Sequence, residues 1–150
     1  YRTHPKKGNF MKILLAVDGS PYTKKALAWL TVNQTLTEPG DELVVLNVQP
    51  PLPPRARSAL GADVVKGYHQ DEANKVIAPI EKFLKRHKTP SRVLWVVGSP
   101  SEEILRVAQR EKVQQIVMGT HGRGVLGRAL MGSVAQRVVA GCTVPVLLVK

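Results

Sequence analysis

Residues 12–21 read KILLAVDGSP, and this stretch decides the fold class. Ile13 to Val17 are apolar without interruption. A run of strand length that does not alternate with polar residues indicates a strand buried on both faces, as in a parallel sheet covered by helices. Ser20 and Pro21 are a typical helix N-cap and first helical residue, so the strand is expected to lead directly into a helix. The chain therefore begins with a β–α unit.

The same pattern continues to the end of the chain. Four further apolar runs are predicted to be strands: Leu43 to Val48, Val93 to Val97, Ile116 to Met118 and Val144 to Val149. Apolar residues three and four apart predict helices between these runs. The resulting order, β-α-β-α-β-α-β-α-β, is typical of a doubly wound α/β domain. We assign residues 11–150 to this domain and regard residues 1–10 as an upstream extension or a cloning remnant.

Local signals refine the helices and loops. The second helix has its apolar stripe from Ala73 to Leu84, and Pro79 within it is expected to cause a kink or a boundary. Residues 99–102, Ser-Pro-Ser-Glu, predict a capping box at the start of the third helix. The proline-rich stretch Gln49 to Gly61 is predicted to be the only long irregular loop.

Composition restricts the class of protein. With 150 residues, 43% of them hydrophobic and 22% charged, the chain has the size and balance of one globular domain. It has no apolar run of the ~20 residues that a membrane span needs, and no signal-peptide pattern precedes Met11. Cys142 is the only cysteine, which excludes an intramolecular disulfide and a cysteine metal cluster and favours a reducing compartment. We therefore expect a cytoplasmic protein.

The net charge of +11 raises the possibility of nucleic-acid binding. Aromatic residues make up only 5% of the chain, which leaves few surfaces for base stacking, so this function is disfavoured. Another asymmetry is more informative, because no acidic residue follows Glu111 whereas several basic ones do. A segment of that kind suits a phosphate.

Five glycines lie between the fourth predicted strand and the last predicted helix: Gly119, Gly122, Gly124, Gly127 and Gly132. Glycine permits positive φ and close approach of a ligand, and free backbone N–H groups at such turns and at helix N-termini bind phosphates. Ser133 is predicted to cap a last helix from Val134 to Ala140. A merely tight connection is the alternative, but the basic residues and the position at the carboxyl end of the sheet favour an anion site.

Two familiar phosphate motifs do not explain these glycines. Residues 122–127 match G-x-G-x-x-G, but the dinucleotide fingerprint follows the first strand and has an acid about 20 residues downstream, and here no acid follows. The Walker motif G-x-x-x-x-G-K-[ST] is absent. Neither a dinucleotide site nor a P-loop is therefore predicted.

Gly119, Gly122, Gly132 and Ser133 occupy every position of the pattern G-x2-G-x9-G-[ST]. In this the chain resembles the ATP-binding branch of the universal stress protein family, and the resemblance extends from Met11 to Lys150. It implies a five-stranded parallel sheet in the order 3-2-1-4-5 and a homodimer formed through Val144 to Val149, an apolar edge that would otherwise be an association hazard.

The resemblance also implies a ligand, ATP with Mg²⁺ held mainly by phosphate oxygens and water, and no metal ligand from the protein. Asp18 would accept a hydrogen bond from a ribose hydroxyl, although it could instead cap the following turn. The adenine would lie among Ala16, Val17 and Val48, with Met118 nearby. The phosphates would be bound by Gly119, Gly122, Arg123, Gly132, Ser133 and Val134.

The function implied is that of a stress or signalling sensor. Rapid ATP hydrolysis needs a positioned water, a base and carboxylates for a metal, and the glycine-rich segment offers none of these. We expect no catalysis or, at most, a slow ATPase. Two alternatives stay open: cyclic AMP in place of ATP, and a dimeric interaction protein of the same fold that binds no nucleotide.

Overall fold

The computed structural model describes residues 10–33, 36, 38–122 and 131–150. Within these residues five strands form one parallel sheet in the order β3-β2-β1-β4-β5. The strands are β1 (Lys12–Val17), β2 (Glu42–Gln49), β3 (Ser91–Val97), β4 (Gln115–Gly119) and β5 (Val146–Val149). The helices are α1 (Pro21–Val32), α2 (Pro54–Leu60), α3 (Ala62–Arg86), α4 (Pro100–Glu111) and α5 (Ser133–Gly141). The predicted doubly wound fold and strand order are confirmed.

A hydrophobic core lies on each side of the sheet. On one side Ile13 and Leu15 of β1 pack with buried residues of α1 and α3. On the other side Leu14 of β1 packs with buried residues of α4 and α5. Successive residues of a strand face opposite sides, so a central strand covered by helices on both sides must be apolar throughout. This explains the unbroken run from Ile13 to Val17.

The stretch predicted to be the only long irregular loop, Gln49 to Gly61, contains helix α2, so this prediction is wrong. Pro54 occupies the first turn, where its fixed φ favours a helix. An N–H at this position would have no acceptor within the helix, so its absence costs no hydrogen bond. Residues 55–60, RARSAL, are mostly good helix formers. Gly61, with φ +82°, then separates α2 from α3. No residue of α2 is buried.

Pro79 sets no boundary in α3, which continues through it to Arg86. Proline removes one backbone hydrogen bond, but the buried residues Val76, Ile77 and Ile80 hold both sides of it against the sheet. Tertiary packing therefore outweighs the local cost. α3 also begins at Ala62, well before the apolar stripe that predicted it. The first turns of the helix do not pack into the core, so they carry no apolar stripe that could have predicted them.

Of two predicted helix caps, one is in the predicted position without its capping hydrogen bond and the other is wrong. Ser99 is the N-cap residue of α4, yet its side chain forms no capping hydrogen bond, so the predicted capping box does not form. Ser133 is the first residue of α5 and not its cap. Gly132 takes the capping position because its carbonyl already accepts the N–H of Gln136 at 3.0 Å. Its own N–H donates to the carbonyl of Thr120 at 2.7 Å.

A cluster of ion pairs joins the amino ends of three strands to the end of α4. Arg92 contacts both Glu42 and Glu111, and Lys12 contacts the same two carboxylates. The hydrogen bond from Arg92 and, after it, that from Lys12 lower the pKa of Glu111 to about 2. The cluster therefore stays ionised at neutral pH. It lies at the amino ends of the strands, so it does not occupy the opposite, carboxyl end of the sheet. None of the described helices is both long enough and apolar enough to span a membrane.

Candidate functional site

A cavity of about 440 Å³ opens at the carboxyl ends of β1 and β4. Between these two strands the order of the sheet reverses, since β2 and β3 lie beyond β1 and β5 lies beyond β4. In open α/β sheets this switch point is where ligands bind. Ten of the eleven predicted site residues line the cavity: Ala16, Val17, Asp18, Val48, Met118, Gly119, Gly122, Gly132, Ser133 and Val134. The eleventh, Arg123, lies outside the described residues. The fold thus brings together residues from both halves of the chain.

Asp18 uses its two carboxylate oxygens differently. Oδ1 accepts hydrogen bonds from the backbone N–H of Ser20 at 2.9 Å and from the hydroxyl of Thr23 at 3.2 Å. Oδ2 points towards Gly122 and accepts no hydrogen bond from the part of the chain that the structure describes. Asp18 therefore caps the turn after β1 with one oxygen and presents the other at the cavity, where it can accept a ligand hydroxyl.

Gly119 and Gly122 are needed for close packing rather than for unusual φ. A Cβ on Gly122 would lie 2.8 Å from Oδ2 of Asp18, and one on Gly119 would collide with Cβ of Tyr22. Neither glycine is among the described residues with positive φ, and Gly132 has φ −72°. The predicted role of positive φ is therefore wrong at these three positions. Gly119 and Gly122 instead allow side chains of the protein to approach closely, and close approach of a ligand stays a prediction.

The start of α5 borders the cavity. Gly132, Ser133 and Val134 line it, and the N–H groups of a helix's first turn have no acceptor within the helix. These groups carry the positive end of the helix dipole, roughly half an elementary charge. The side chain of Ser133 is exposed and lies at the same place. An anion in the cavity could therefore receive hydrogen bonds from backbone and hydroxyl together.

Part of the cavity wall is apolar, and sequence reasoning missed some of it. Besides Val48 and Met118, the wall includes Leu46 of β2 and Pro100 and Ile104 of α4. Ile104 was predicted only as a core residue of its helix. The strand order supplies the missing signal, because α4 leads into β4 and must cross the sheet beside the switch point. A flat apolar group can lie against this wall.

Asn47 is a further residue that sequence reasoning missed. It is 2% exposed, and its Nδ2 donates to the carbonyl of Val17 at 2.9 Å. Its Oδ1 accepts a hydrogen bond from Nε2 of Gln49 at 2.7 Å. The amide thus ties the end of β1, directly before Asp18, to β2. A single polar residue inside the apolar run of residues 43–48 was the available signal.

His121 and Thr120 also line the cavity. Nδ1 of His121 lies 3.0 Å from the hydroxyl of Thr120, and the imidazole lies 5.4 Å from the ring of Tyr22. His121 is only half-buried, so it borders the cavity mouth and does not simply face solvent. Among the described residues, no three His, Cys, Asp or Glu side chains form a group that could hold a metal ion.

Comparison with known proteins agrees with this architecture. The family model for universal stress proteins matches residues 9–150. A relative from Thermus aquaticus, named universal stress protein in QAH/OAS sulfhydrylase 3' region, is 36% identical over 141 residues, which cover 94% of this chain and 99% of that protein.

Two solved structures show the same fold. The protein MJ0577 of Methanocaldococcus jannaschii matches with a TM-score of 0.79 and 31% identity, covering 94% of this chain and 96% of its own. The universal stress protein of Archaeoglobus fulgidus in complex with dAMP matches with a TM-score of 0.68 and 20% identity, covering 94% and 98%. Since the family model extends over nearly the whole sequence, the chain belongs to the universal stress protein family.

Proposed function

We propose that the chain binds an adenine nucleotide, ATP, in the cavity at the carboxyl ends of β1 and β4 and acts as a nucleotide-dependent sensor. One observation carries the proposal: the same cavity has an apolar wall, a carboxylate oxygen and a helix N-terminus. These three features match the base, the sugar and the phosphates of a nucleotide. The volume of about 440 Å³ lies within the range usual for small-molecule sites.

The adenine would lie against Val48, Met118 and Ile104, with Ala16 and Val17 at the end of β1 beside it. The ribose would then come next to Asp18, whose Oδ2 can accept a hydrogen bond from a hydroxyl. Because Oδ1 is already held by Ser20 and Thr23, the carboxylate keeps one orientation before the ligand arrives. Such preorganisation reduces the entropy lost on binding.

The phosphates would reach the start of α5. Backbone N–H groups there and the hydroxyl of Ser133 can donate to phosphate oxygens, and the helix dipole favours their negative charge. Arg123, predicted to contribute as well, remains a prediction, since it lies outside the described residues. We propose that Mg²⁺ accompanies ATP and is held by phosphate oxygens and water, as is usual for this ion.

Hydrolysis is proposed to be slow. Asp18 is the only acid among the described residues that line the cavity, and one of its oxygens already accepts two hydrogen bonds. A fast ATPase needs a further group to position water and carboxylates to hold the metal. ATP would thus act as a ligand that stabilises one conformation or assembly, and not as a substrate whose hydrolysis supplies free energy.

The choice of an adenine nucleotide has support from the Archaeoglobus fulgidus protein, whose structure is a complex with dAMP. That protein shares the fold at 20% identity, so its ligand supports the class proposed here, adenine nucleotides, and does not select one member of that class. AMP and cyclic AMP contain the same adenosine half as ATP. We propose ATP among these three because Gly119, Gly122, Gly132 and Ser133 occupy every position of the pattern by which the chain resembles the ATP-binding branch of the family.

Calorimetric titration of the full chain with Mg-ATP, AMP and cyclic AMP tests this proposal. We expect ATP to bind at about micromolar Kd and at least about tenfold more tightly than either monophosphate. Phosphate release should stay far below the ~1 s⁻¹ of an ordinary enzyme. Tighter binding of cyclic AMP would assign the site to that ligand. Absence of binding by all three would favour the alternative, an interaction protein that uses no nucleotide.

We also propose that the chain forms a homodimer through β5. This strand is an edge of the sheet, and its four apolar residues are all partly exposed. The carbonyls of Pro145 and Val149 accept from the N–H groups of Ile116 and Thr120 in or next to β4. By alternation, Val146 and Leu148 direct their backbone groups towards the open edge, where a second strand can pair.

Sedimentation equilibrium tests the dimer. The wild-type chain should sediment at twice its chain mass, and Leu148→Pro should shift it to the monomer mass, because proline removes an outward N–H without taking one from the ladder with β4. Circular dichroism of the variant checks that the fold is retained. A variant that is folded and still dimeric would place the interface elsewhere.

A further inference from the structure

A second cavity, of about 670 Å³, lies between α2, the first turns of α3 and the edge strand β3. Among the described residues it shares no lining residue with the first cavity. Trp95 and Val97 lie on the same face of β3 as Val93, which packs against the core beneath α3. The buried residues of α3 begin only at His69, so the helix leaves the far part of this face uncovered. Val97 is accordingly 40% exposed.

His69 forms part of the wall of this cavity and is 4% exposed. Its Nδ1 is buried and has no hydrogen-bond partner among the residues that the structure describes. Leaving a buried polar atom unpaired costs about 1–3 kcal/mol, which is why such atoms in native proteins usually have a partner. An imidazole can serve as donor or acceptor. His69 therefore contributes a nearly buried ring to the floor of the cavity, and its Nδ1, unpaired within the described part of the chain, faces the protein interior.

The charges at the cavity all have one sign. Arg57 of α2 and Lys66 of α3 line it, and both side chains are exposed. Neither forms an ion pair with a described residue, and no described lining residue is acidic. Two unpaired cations beside a concave surface attract anions. The indole of Trp95 and the rings of Pro51 and Pro54 supply flat apolar surface at the same place.

We propose that this cavity is a second ligand site that takes a small organic anion with a flat, apolar body, such as an aryl carboxylate. The ring would lie against Trp95 and the prolines, and the anionic group would face Arg57 and Lys66. The volume lies within the range of small-molecule sites, and apolar walls with a few converging polar groups are typical of them. The proposal does not depend on the nucleotide site.

Binding of 2-naphthoate to the full chain, measured by calorimetry, tests the site, with the neutral 2-naphthalenemethanol as the matched probe. We expect naphthoate to bind and the alcohol to bind at least about tenfold more weakly, since only the anion can pair with the two cations. The double variant Arg57→Gln/Lys66→Gln should weaken naphthoate by a similar factor of about ten. Quenching of Trp95 fluorescence in a Trp29→Phe background should accompany binding.

A matched control for this double variant is available near the end of α3. Lys82→Gln/Arg86→Gln removes the same net charge from exposed positions outside the cavity, and should change the naphthoate Kd by less than about twofold. Saturating ATP should leave naphthoate binding in place. If both double variants lost the same affinity for naphthoate, overall charge and not the cavity would determine binding, and the proposal would be overturned. Displacement by ATP, or no binding of naphthoate at millimolar concentration, would overturn it as well.

Discussion

Gly122→Val should lower the affinity for ATP by at least about a hundredfold. Gly122 faces the carboxylate of Asp18 so closely that a Cβ would lie 2.8 Å from Oδ2. A valine places two further methyl groups at the same point. It must either displace the carboxylate or fill the space beside it, and in both cases the proposed ribose and phosphate positions are lost. Calorimetric titration of the purified variant with Mg-ATP measures the loss.

Gly67→Val is the matched control for this substitution. Gly67 lies in α3, and a Cβ there would meet no atom within 4 Å apart from its chain neighbours and the adjacent backbone of its own helix. The same side chain is thus added to open space, and ATP affinity should stay within about twofold of the wild-type value. Thermal unfolding of both variants checks that each is folded. A Gly122→Val protein that binds ATP normally would remove the glycine-rich turn from the proposed site.

Asn47→Ala should lower the free energy of unfolding by about 2–3 kcal/mol. The substitution leaves the carbonyl of Val17 without its buried donor and opens a small void between β1 and β2. The end of β1 carries Asp18, so its loss of support should also reduce ATP affinity, by an expected factor of about five to ten. Urea unfolding measures the first effect and calorimetric titration the second.

Gln49→Ala is the control for Asn47. Gln49 is the other partner of the same amide, but it is only half-buried, so water can replace its hydrogen bond. We expect this variant to lose less than about 1 kcal/mol. If Asn47→Ala were no less stable than Gln49→Ala, the buried amide would not be what secures the carboxyl end of β1.

Elements that depend on local pattern were predictable from the sequence. All five strands were found, because each contains a short apolar run, and in the central strands burial on both faces requires it. The last strand begins later than predicted, at Val146, with Pro145 ahead of it. The spacing of Gly119, Gly122, Gly132 and Ser133 indicated which residues would lie together, and the described members of that set do line one cavity.

Contacts between distant residues were beyond local reasoning. Oδ1 of Asp18 caps the local turn, as the sequence allowed, but Oδ2 points towards Gly122, which lies nearby only because β1 and β4 are neighbours. The hydrogen bond from Asn47 to Val17 likewise depends on the pairing of β1 with β2. The prolines after β2 predicted a loop, whereas Pro54 in fact begins α2, which forms one side of the second cavity.

The sequence by itself determined the fold class, the strand order through its family pattern, and the residues of the glycine-rich turn, because hydrophobic period and motif spacing are properties of neighbouring positions. The tertiary structure alone decided which atoms of those residues face a cavity and which are used within the protein. It also brought His69, Arg57 and Trp95 to the edge of the sheet, since only packing determines where a helix stops covering a strand.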